Sequence, residues 1–488
     1  MESLEELYTI QDSFSNDFLW GVAFSAKQTE GSFDRGITVA DLQDYNPKDA
    51  TKVKGDLSET EILNRLENPS NYYFPKEKGI DFYHRYKEDL ELIAKLGVKC
   101  LRFSISWARI FPNDDEIPSQ IGLDFYDSIL QILNDKGITP IITLYHDDMP
   151  VRLALEYNGF LSKDINESFI RYAQLILTRY KDKVNHWIIF NQINLTRVGL
   201  SSLGIVKDKV TDLEAAKWQA VHNKMVTAAK IVSLGREISK DFRFGSMLAD
   251  FIVNPETCEP KDIVFATEKN QMTMFLYADV QFFGEYPGYA LRYFKENNIC
   301  IQSDKNELKV LKENTMDFLA ISYYNSNVVS AKENSMKIGD SKINPYLEAN
   351  PWGWTINPRG LYDSFIRYWD RYHKPLMIAE NGFGAIETKE NDMIDDQYRI
   401  QYLNDHLYAI KKAIRQGVNV FAYCLWSPFD IVSSGTSEMK KRYGLIFVDQ
   451  DDFGKGSGNR FPKKSYYWYQ NVIQTNGDSL ESFEDDFK

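Results

Sequence analysis

The stretch DFYHRYKEDLELIAKLGVKCLRFSIS, residues 81–106, decides the fold class because it joins a helical pattern to a strand pattern across a glycine. Apolar residues recur at helical spacing through Phe82, Tyr86 and Leu90, with charged residues between them. Gly97 follows, where the end of a helix favours a residue in the left-handed conformation. The apolar run after it has the composition of a buried strand. The sequence therefore predicts a helix, a glycine cap and a strand in succession.

The same unit returns twice, and further short apolar runs have the length of strands. The repeats occupy 123–146 and 403–427, and the other runs lie at 18–26, 186–191, 242–249, 318–324 and 375–380. Eight strands that mostly alternate with helices predict a parallel sheet closed into a single-domain (β/α)8 barrel, an α/β fold spanning 1–488. A doubly wound sheet is the alternative, but no GxGxxG follows the first strand. Polar stretches at 44–78, 300–316 and 330–350 are interpreted as extended βα loops.

Composition excludes several classes of partner. The formal net charge of −13 argues against nucleic acid or an anionic membrane as the main partner. No run approaches the ~18 consecutive apolar residues that a membrane helix needs, and the N-terminus has no signal-peptide pattern. The four cysteines lie far apart without a CxxC pair, so we expect buried free thiols and a cytoplasmic protein.

Polar or aromatic residues stand at the ends of the predicted strands. They are Gln28, Arg102, His146, Asn191, Gln192, Tyr324, Glu380 and Trp426. In a (β/α)8 barrel these ends converge on one mouth. A carboxylate, an arginine, a histidine and aromatic faces in one mouth favour a hydrolase for a polyhydroxylated ligand. Taken singly, each residue also has a structural interpretation, such as a turn, a core histidine, a salt bridge or packing.

Seven stretches in chain order resemble glycoside hydrolase family 1. They are FLWGVAFSAKQTEG, LRFSISWARIFP, HDDMP, FNQIN, DFLAISYYNS, IAENGFG and YCLWSPFD. The resemblance covers nearly the whole chain and implies the barrel fold. It also implies that Glu380 is the nucleophile of a retaining glycosidase and that position 192 holds the acid/base residue. Arg102 and Tyr324 would keep Glu380 ionised.

The same resemblance assigns the sugar contacts. Gln28, His146 and Asn191 would bind hydroxyl groups, Trp426 would lie under the sugar ring, and Trp354 would flank the aglycone. No cofactor and no metal are implied. A metal hydrolase is disfavoured in any case, because the chain has no HExxH and its six histidines form no ligand-spaced cluster. The oligomeric state, monomer or homo-oligomer, stays open.

The segment WSPFDIVSSGTSEMKKRYG, residues 426–444, is similar to the 6-phospho-β-glycosidases of that family. Ser433 stands where members acting on free glucosides have a glutamate, and Lys441 and Tyr443 fill the other two phosphate-binding positions. A carboxylate would repel a phosphate dianion, whereas a hydroxyl and an ammonium group attract it. The small Ser434 favours a gluco substrate. We therefore expect a 6-phosphorylated β-glucoside as the partner, cleaved to glucose 6-phosphate and an aglycone.

Three departures from the family pattern stand out: Gly435 in place of a second serine, Asp147 in place of an aromatic residue, and Gln192 in place of the acid/base glutamate. A glutamine neither gives nor takes a proton, so we expect strongly reduced activity. The favoured explanation is an engineered, inactivating Glu→Gln exchange. The alternatives are a natural variant acting on activated or thio-linked aglycones, and a non-catalytic sugar-phosphate binding protein.

Overall fold

The computed structural model describes residues 11–49, 56–113, 117–196, 199–333, 335–337, 339–387 and 394–483. Eight parallel strands close into a barrel, each hydrogen-bonded to the next in chain order and the last to the first. They are β1 Leu19–Ala23, β2 Cys100–Ser104, β3 Thr139–Tyr145, β4 His186–Phe190, β5 Arg243–Ala249, β6 Phe318–Tyr323, β7 Leu376–Asn381 and β8 Val420–Trp426. The predicted (β/α)8 barrel is confirmed, strand by strand. That the domain extends over 1–488 stays a prediction, because both termini lie outside the described residues.

Helices surround the barrel. The eight that we label are α1 Phe82–Lys95, α2 Gln120–Asp135, α3 Lys163–Arg179, α4 Leu213–Ile238, α5 Leu276–Phe283, α6 Pro358–Tyr372, α7 Gln397–Arg415 and α8 Lys464–Gln474. Further helices are Ala26–Thr29, Glu59–Glu67, Trp107–Ile110, Val151–Tyr157, Gly199–Leu203, Pro260–Asn270, Gly288–Glu296 and Lys305–Glu313. Short strands outside the barrel are Val253–Pro255, Asn327–Val329, Lys342–Ile343, Ile446–Val448 and Arg460–Pro462. Gly97, which was predicted to end a helix, has φ +83° just after α1.

Tight packing inside the barrel requires a glycine in β1. Gly21 pairs with Cys100 on one side and with Cys424 on the other. The two thiol sulfurs approach to 3.8 Å. A Cβ at Gly21 would lie 2.4 Å from the sulfur of Cys100, so no larger residue fits between the strands without displacement.

Two expectations about the periphery are wrong. The stretch 300–316 is not a βα loop: it contains the helix Lys305–Glu313 and precedes β6. Asp304 and Glu307 form a capping box at the start of this helix. The sequence analysis interpreted the stretch as a loop from its polar composition and did not use this local helix signal. The cysteines are free, but Cys258 and Cys300 are exposed rather than buried. Within the described ranges, no helix combines the length and apolar character needed to cross a membrane.

Candidate active site

The centre of the barrel mouth is a buried carboxylate held by two donors. Arg102 donates from Nη1 to Glu380 Oε1 (2.7 Å), and Tyr324 donates its hydroxyl to Glu380 Oε2 (2.8 Å). The other guanidinium nitrogens of Arg102 reach Asn191 Oδ1 (2.7 Å) and Thr143 Oγ1 (3.0 Å). One arginine therefore ties together β2, β3, β4 and β7, and it fixes the carboxylate in one orientation.

Tyr324, one of the two donors to Glu380, has a shifted pKa. Burial raises the pKa of the Tyr324 hydroxyl well above its usual value, and the charge of Glu380 raises it further. Tyr324 therefore remains a hydrogen-bond donor at neutral pH. The structure thus brings Glu380, Arg102, Tyr324 and Asn191 together. Tyr324 is half-buried, and the other three residues are buried.

Gln192 follows β4 directly and adopts a left-handed backbone conformation, with φ +40°. Its side chain donates from Nε2 to Ser322 Oγ at 2.6 Å. Its neighbour Asn191 is held by the backbone bond to Tyr145 O (2.9 Å) as well as by Arg102. Gln192 is half-buried, whereas Asn191 is buried. The amide at 192 thus has a defined partner and still faces accessible space.

The residues expected to bind sugar hydroxyls differ in how many of their polar side-chain atoms already have hydrogen-bond partners. His146 is buried, its ring stacks on Trp426 with 5.7 Å between centroids, and its Nδ1 lacks a hydrogen-bond partner among the described residues. Burial, and then the charges of Lys27 and Arg102, hold its pKa well below the usual value, so the ring stays neutral. A neutral imidazole with an unpaired nitrogen can bind a hydroxyl group.

Both polar atoms of the Gln28 amide already have hydrogen-bond partners within the protein, which the sequence did not predict. Its Nε2 donates to the carbonyl of Val432 (2.7 Å), and its Oε1 accepts from Ser25 Oγ (2.8 Å). Val432 precedes Ser433 in the chain. The amide of Gln28 therefore fastens the end of β1 to the segment that carries the expected phosphate-binding residues. Sequence reasoning gave Gln28 only a role toward sugar and did not predict this contact.

The three expected phosphate-binding residues form a second cluster. Lys441 is 3% exposed, and its Nζ lies 3.6 Å from the centroid of Trp354, 5.0 Å from that of Trp352 and 5.5 Å from that of Tyr443. The Tyr443 hydroxyl interacts with the side chain of Ser433. Burial lowers the pKa of Lys441 to about 7, against the opposing charge of a nearby carboxylate. The cluster combines an ammonium group with two hydroxyls, the donors that a phosphate prefers.

Three residues of this cluster were missed in the sequence: Glu438, Thr436 and Trp352. Glu438 is buried and accepts from Trp352 Nε1 (2.7 Å) and from Thr436 Oγ1 (2.8 Å). Thr436 Oγ1 also lies 2.8 Å from Ser433 Oγ, and it accepts from that hydroxyl because its own single proton goes to Glu438. Trp354 connects this cluster to the one around Glu380, since its ring lies 5.1 Å from that of Tyr324. The signal was the doubled tryptophan in WGWTINP, of which only the second was assigned a role.

The sequence profile of Glycosyl hydrolase family 1 matches residues 10–478. The chain belongs to glycosyl hydrolase family 1. Among curated proteins it is similar to a 6-phospho-beta-glucosidase from Clostridium longisporum, at 42% identity over 96% of this chain and 99% of that protein. It is also similar to the aryl-phospho-beta-D-glucosidase BglA of Bacillus subtilis (strain 168), at 40% identity over 95% and 99%. A solved family 1 β-glucosidase from Thermotoga maritima superposes with a TM-score of 0.82, at 29% identity over 97% and 100%.

Within this family 1 barrel, one ion pair was not foreseen. Lys27 Nζ lies 3.3 Å from Asp147 Oδ2, and both residues are buried. They flank Gln28 and His146 in the chain, and Asp147 has φ +56°. The sequence marked Asp147 as a departure from the family pattern but gave it no partner. Lys27 compensates the charge of Asp147, which accounts for a carboxylate at a buried position next to His146.

Proposed function

We propose that this chain is a 6-phospho-β-glucosidase of the retaining type whose acid/base position is held by Gln192. The observation that carries the proposal is Lys441. Its ammonium group is buried among aromatic rings, and in the described part of the chain no carboxylate lies within ion-pair distance of it. A buried cation is costly unless an anion pairs with it, and a phosphate dianion would do so. The relatives at 42% and 40% identity, a 6-phospho-beta-glucosidase and an aryl-phospho-beta-D-glucosidase, support the same substrate class.

In the proposed mechanism, Glu380 attacks the anomeric carbon of the phosphorylated glucose ring. Arg102 and Tyr324 hold the attacking carboxylate in place through their bonds of 2.7 and 2.8 Å. The aglycone leaves, a glycosyl-enzyme forms, and water then releases glucose 6-phosphate with retained configuration. His146 and Asn191 are proposed to bind hydroxyls of the ring, with Trp426 beneath it and Trp354 flanking the aglycone. Ser433, Lys441 and Tyr443 are proposed to bind the phosphate.

Gln192 limits this reaction. An amide can neither protonate the leaving oxygen nor deprotonate the incoming water, and general acid–base help is worth roughly 10²–10⁴-fold. We therefore propose a chain of strongly reduced activity, in which an inactivating Glu→Gln exchange has left substrate binding intact. No cofactor takes part. The exchange would silence a cytoplasmic enzyme that acts on sugars phosphorylated during uptake.

The test is the hydrolysis rate of 4-nitrophenyl β-glucoside 6-phosphate by this chain and by its Gln192→Glu variant. We expect a gain of ~10² or more. Lys441→Ala in the Gln192→Glu background is the matched control for the substrate class: KM should rise for the phosphorylated substrate much more than for 4-nitrophenyl β-glucoside. Absence of a gain would contradict the acid/base assignment, and parallel losses on both substrates would contradict the phosphate site.

Rate and mass-spectrometric measurements on the unmodified chain test the two alternatives. A natural variant for activated or thio-linked aglycones would hydrolyse the 4-nitrophenyl substrate much faster than cellobiose phosphate, and equal rates would exclude it. A sugar-phosphate binding protein would bind the ligand without forming a glycosyl-enzyme detectable by mass spectrometry. A mass increase corresponding to one glucose 6-phosphate unit on Glu380 would exclude that second alternative.

A further inference from the structure

The two segments that carry the proposed chemistry are hydrogen-bonded to each other. We call residues 380–387 the nucleophile segment and residues 438–444 the clamp segment. The backbone N–H of Ala385 donates to the carbonyl of Arg442 (3.0 Å), and the N–H of Arg442 donates back to the carbonyl of Ala385 (2.8 Å). This reciprocal pair means that a shift of one segment moves the other.

One buried guanidinium binds both segments. Arg399 belongs to α7 and is 1% exposed. It donates to the carbonyl of Phe383 in the nucleophile segment, and to the carbonyls of Arg442 (3.2 Å) and Tyr443 (3.0 Å) in the clamp segment. Its Nε is held by Asp396 (2.9 Å) at the start of the same helix. Five N–H donors in one rigid plane suit this task, and a lysine cannot reproduce it.

A chain of buried charges holds this guanidinium in place. Arg399 contacts Glu387 (2.6 Å), Glu387 contacts Lys463 (2.5 Å), and Lys463 contacts Asp430 (2.9 Å). Asp430 then accepts the backbone N–H of Gly444 (2.9 Å), at the end of the clamp segment. This chain of contacts therefore leads from Glu387 in the nucleophile segment to Gly444 in the clamp segment. These charges alternate in sign and are shielded from water, so each attracts its neighbours more strongly than a surface pair would.

We propose that Arg399 is a positioning residue that fixes the phosphate clamp relative to the nucleophile. The inference rests on the proposed function and deepens it. Binding energy from a remote part of a substrate accelerates a reaction only when it orients the reacting atoms. Through Arg399, the contacts of Lys441 and Tyr443 with the phosphate would set the position of the sugar ring against Glu380. A substrate without phosphate would gain nothing from this coupling.

The experiment uses the Gln192→Glu enzyme as the parent and compares 4-nitrophenyl β-glucoside with and without the 6-phosphate. We expect Arg399→Lys to lower kcat/KM for the phosphorylated substrate at least ~10-fold more than for the other, mainly through kcat. The additional loss should disappear when Lys441→Ala is also present. Arg371→Lys is the matched control, since that arginine on α6 binds Asp279 with two bonds (2.7 and 2.5 Å). It should affect both substrates equally.

The outcomes separate failure of the proposed function from failure of the positioning role of Arg399. A parent that does not prefer the phosphorylated substrate would overturn the proposed function, and the inference with it. A parent with that preference whose Arg399→Lys variant loses both substrates equally would overturn the inference alone. If thermal unfolding shows that Arg399→Lys does not fold, Glu387→Gln replaces it. That variant keeps the shape of the side chain and weakens the link between Arg399 and Lys463, and it is judged by the same two ratios.

Discussion

Raising the pH from 7 to 9 should weaken binding of a 6-phosphorylated aryl β-glucoside about fifty-fold. Burial lowers the pKa of the Lys441 ammonium to about 7, although the charge of Glu438 opposes the shift. About half of the free protein is protonated at Lys441 at pH 7 and about one part in a hundred at pH 9. If the phosphate binds only the protonated form, the ratio is about fifty, or about 2.3 kcal/mol. The sign follows because a lowered lysine pKa makes the charge available only at lower pH.

Neither the phosphate of the ligand nor the Tyr443 hydroxyl titrates over this range in a way that mimics the effect. The second ionisation of a phosphate monoester lies near pH 6, so the ligand is a dianion throughout. Burial raises the pKa of the Tyr443 hydroxyl above its usual value, and this residue stays protonated up to pH 9. Burial also lowers the pKa of Lys224, to about 8, so a variant of Lys441 itself is needed to assign the effect to Lys441.

Isothermal titration calorimetry on the unmodified chain measures the effect directly, because Gln192 slows turnover. Titrations in two buffers of different ionisation enthalpy should show proton uptake that approaches one per ligand as the pH rises above 7. Lys441→Arg is the matched control, because a guanidinium stays charged at pH 9. The affinity of this variant for the ligand should change little between pH 7 and pH 9. Equal dissociation constants at pH 7 and pH 9, or the same fifty-fold loss in Lys441→Arg, would refute the reasoning.

Three further changes test the nucleophile. Glu380→Ala in the Gln192→Glu enzyme should lower kcat more than about 10³-fold, and steady-state rates near those of the parent would show that the chemistry lies elsewhere. Tyr324→Phe in the same background should lower kcat about 10–10²-fold, because a hydrogen bond to a charged group is lost; an unchanged kcat would contradict its role. Gly382→Ala should abolish activity and lower the melting temperature, since its Cβ would lie 1.9 Å from the carbonyl oxygen of Trp426. A fully active, equally stable variant would show that the residue after β7 does not lie this close to the end of β8.

The barrel was predictable because its signal is local and repeated. Each strand is a short apolar run, and Gly97 marks the end of α1 in a left-handed conformation. The location of the polar stretches was harder to predict. The capping box at Asp304 shows a helix, but only the order of elements in space shows that this helix precedes β6. Composition alone does not separate an insertion at the mouth from one at the opposite end.

For the site, the sequence supplied the residues but not their connections. Contacts such as those from Arg102 to Asn191 and to Glu380 join strands separated by 89 and 278 residues. Closure of the barrel brings them together, and no local pattern encodes which side chain meets which. The bond from Gln28 to Val432 spans 404 residues and has the same origin. Charge compensation, the principle behind such pairs, does predict that a buried carboxylate has a cation nearby, but it does not name the cation.

The surroundings of Gln192 are suited to a carboxyl group. The Ser322 hydroxyl accepts from Gln192 Nε2 at 2.6 Å and points its own proton toward the carbonyl of Leu248 at 3.5 Å. A hydroxyl both donates and accepts. After Gln192→Glu, Ser322 would accept from the protonated acid and, by rotation, donate to the carboxylate. An acid/base residue must pass through both states in each catalytic cycle. The partner that now holds the amide would therefore serve either form of a glutamate, so Gln192→Glu requires no compensating change at Ser322.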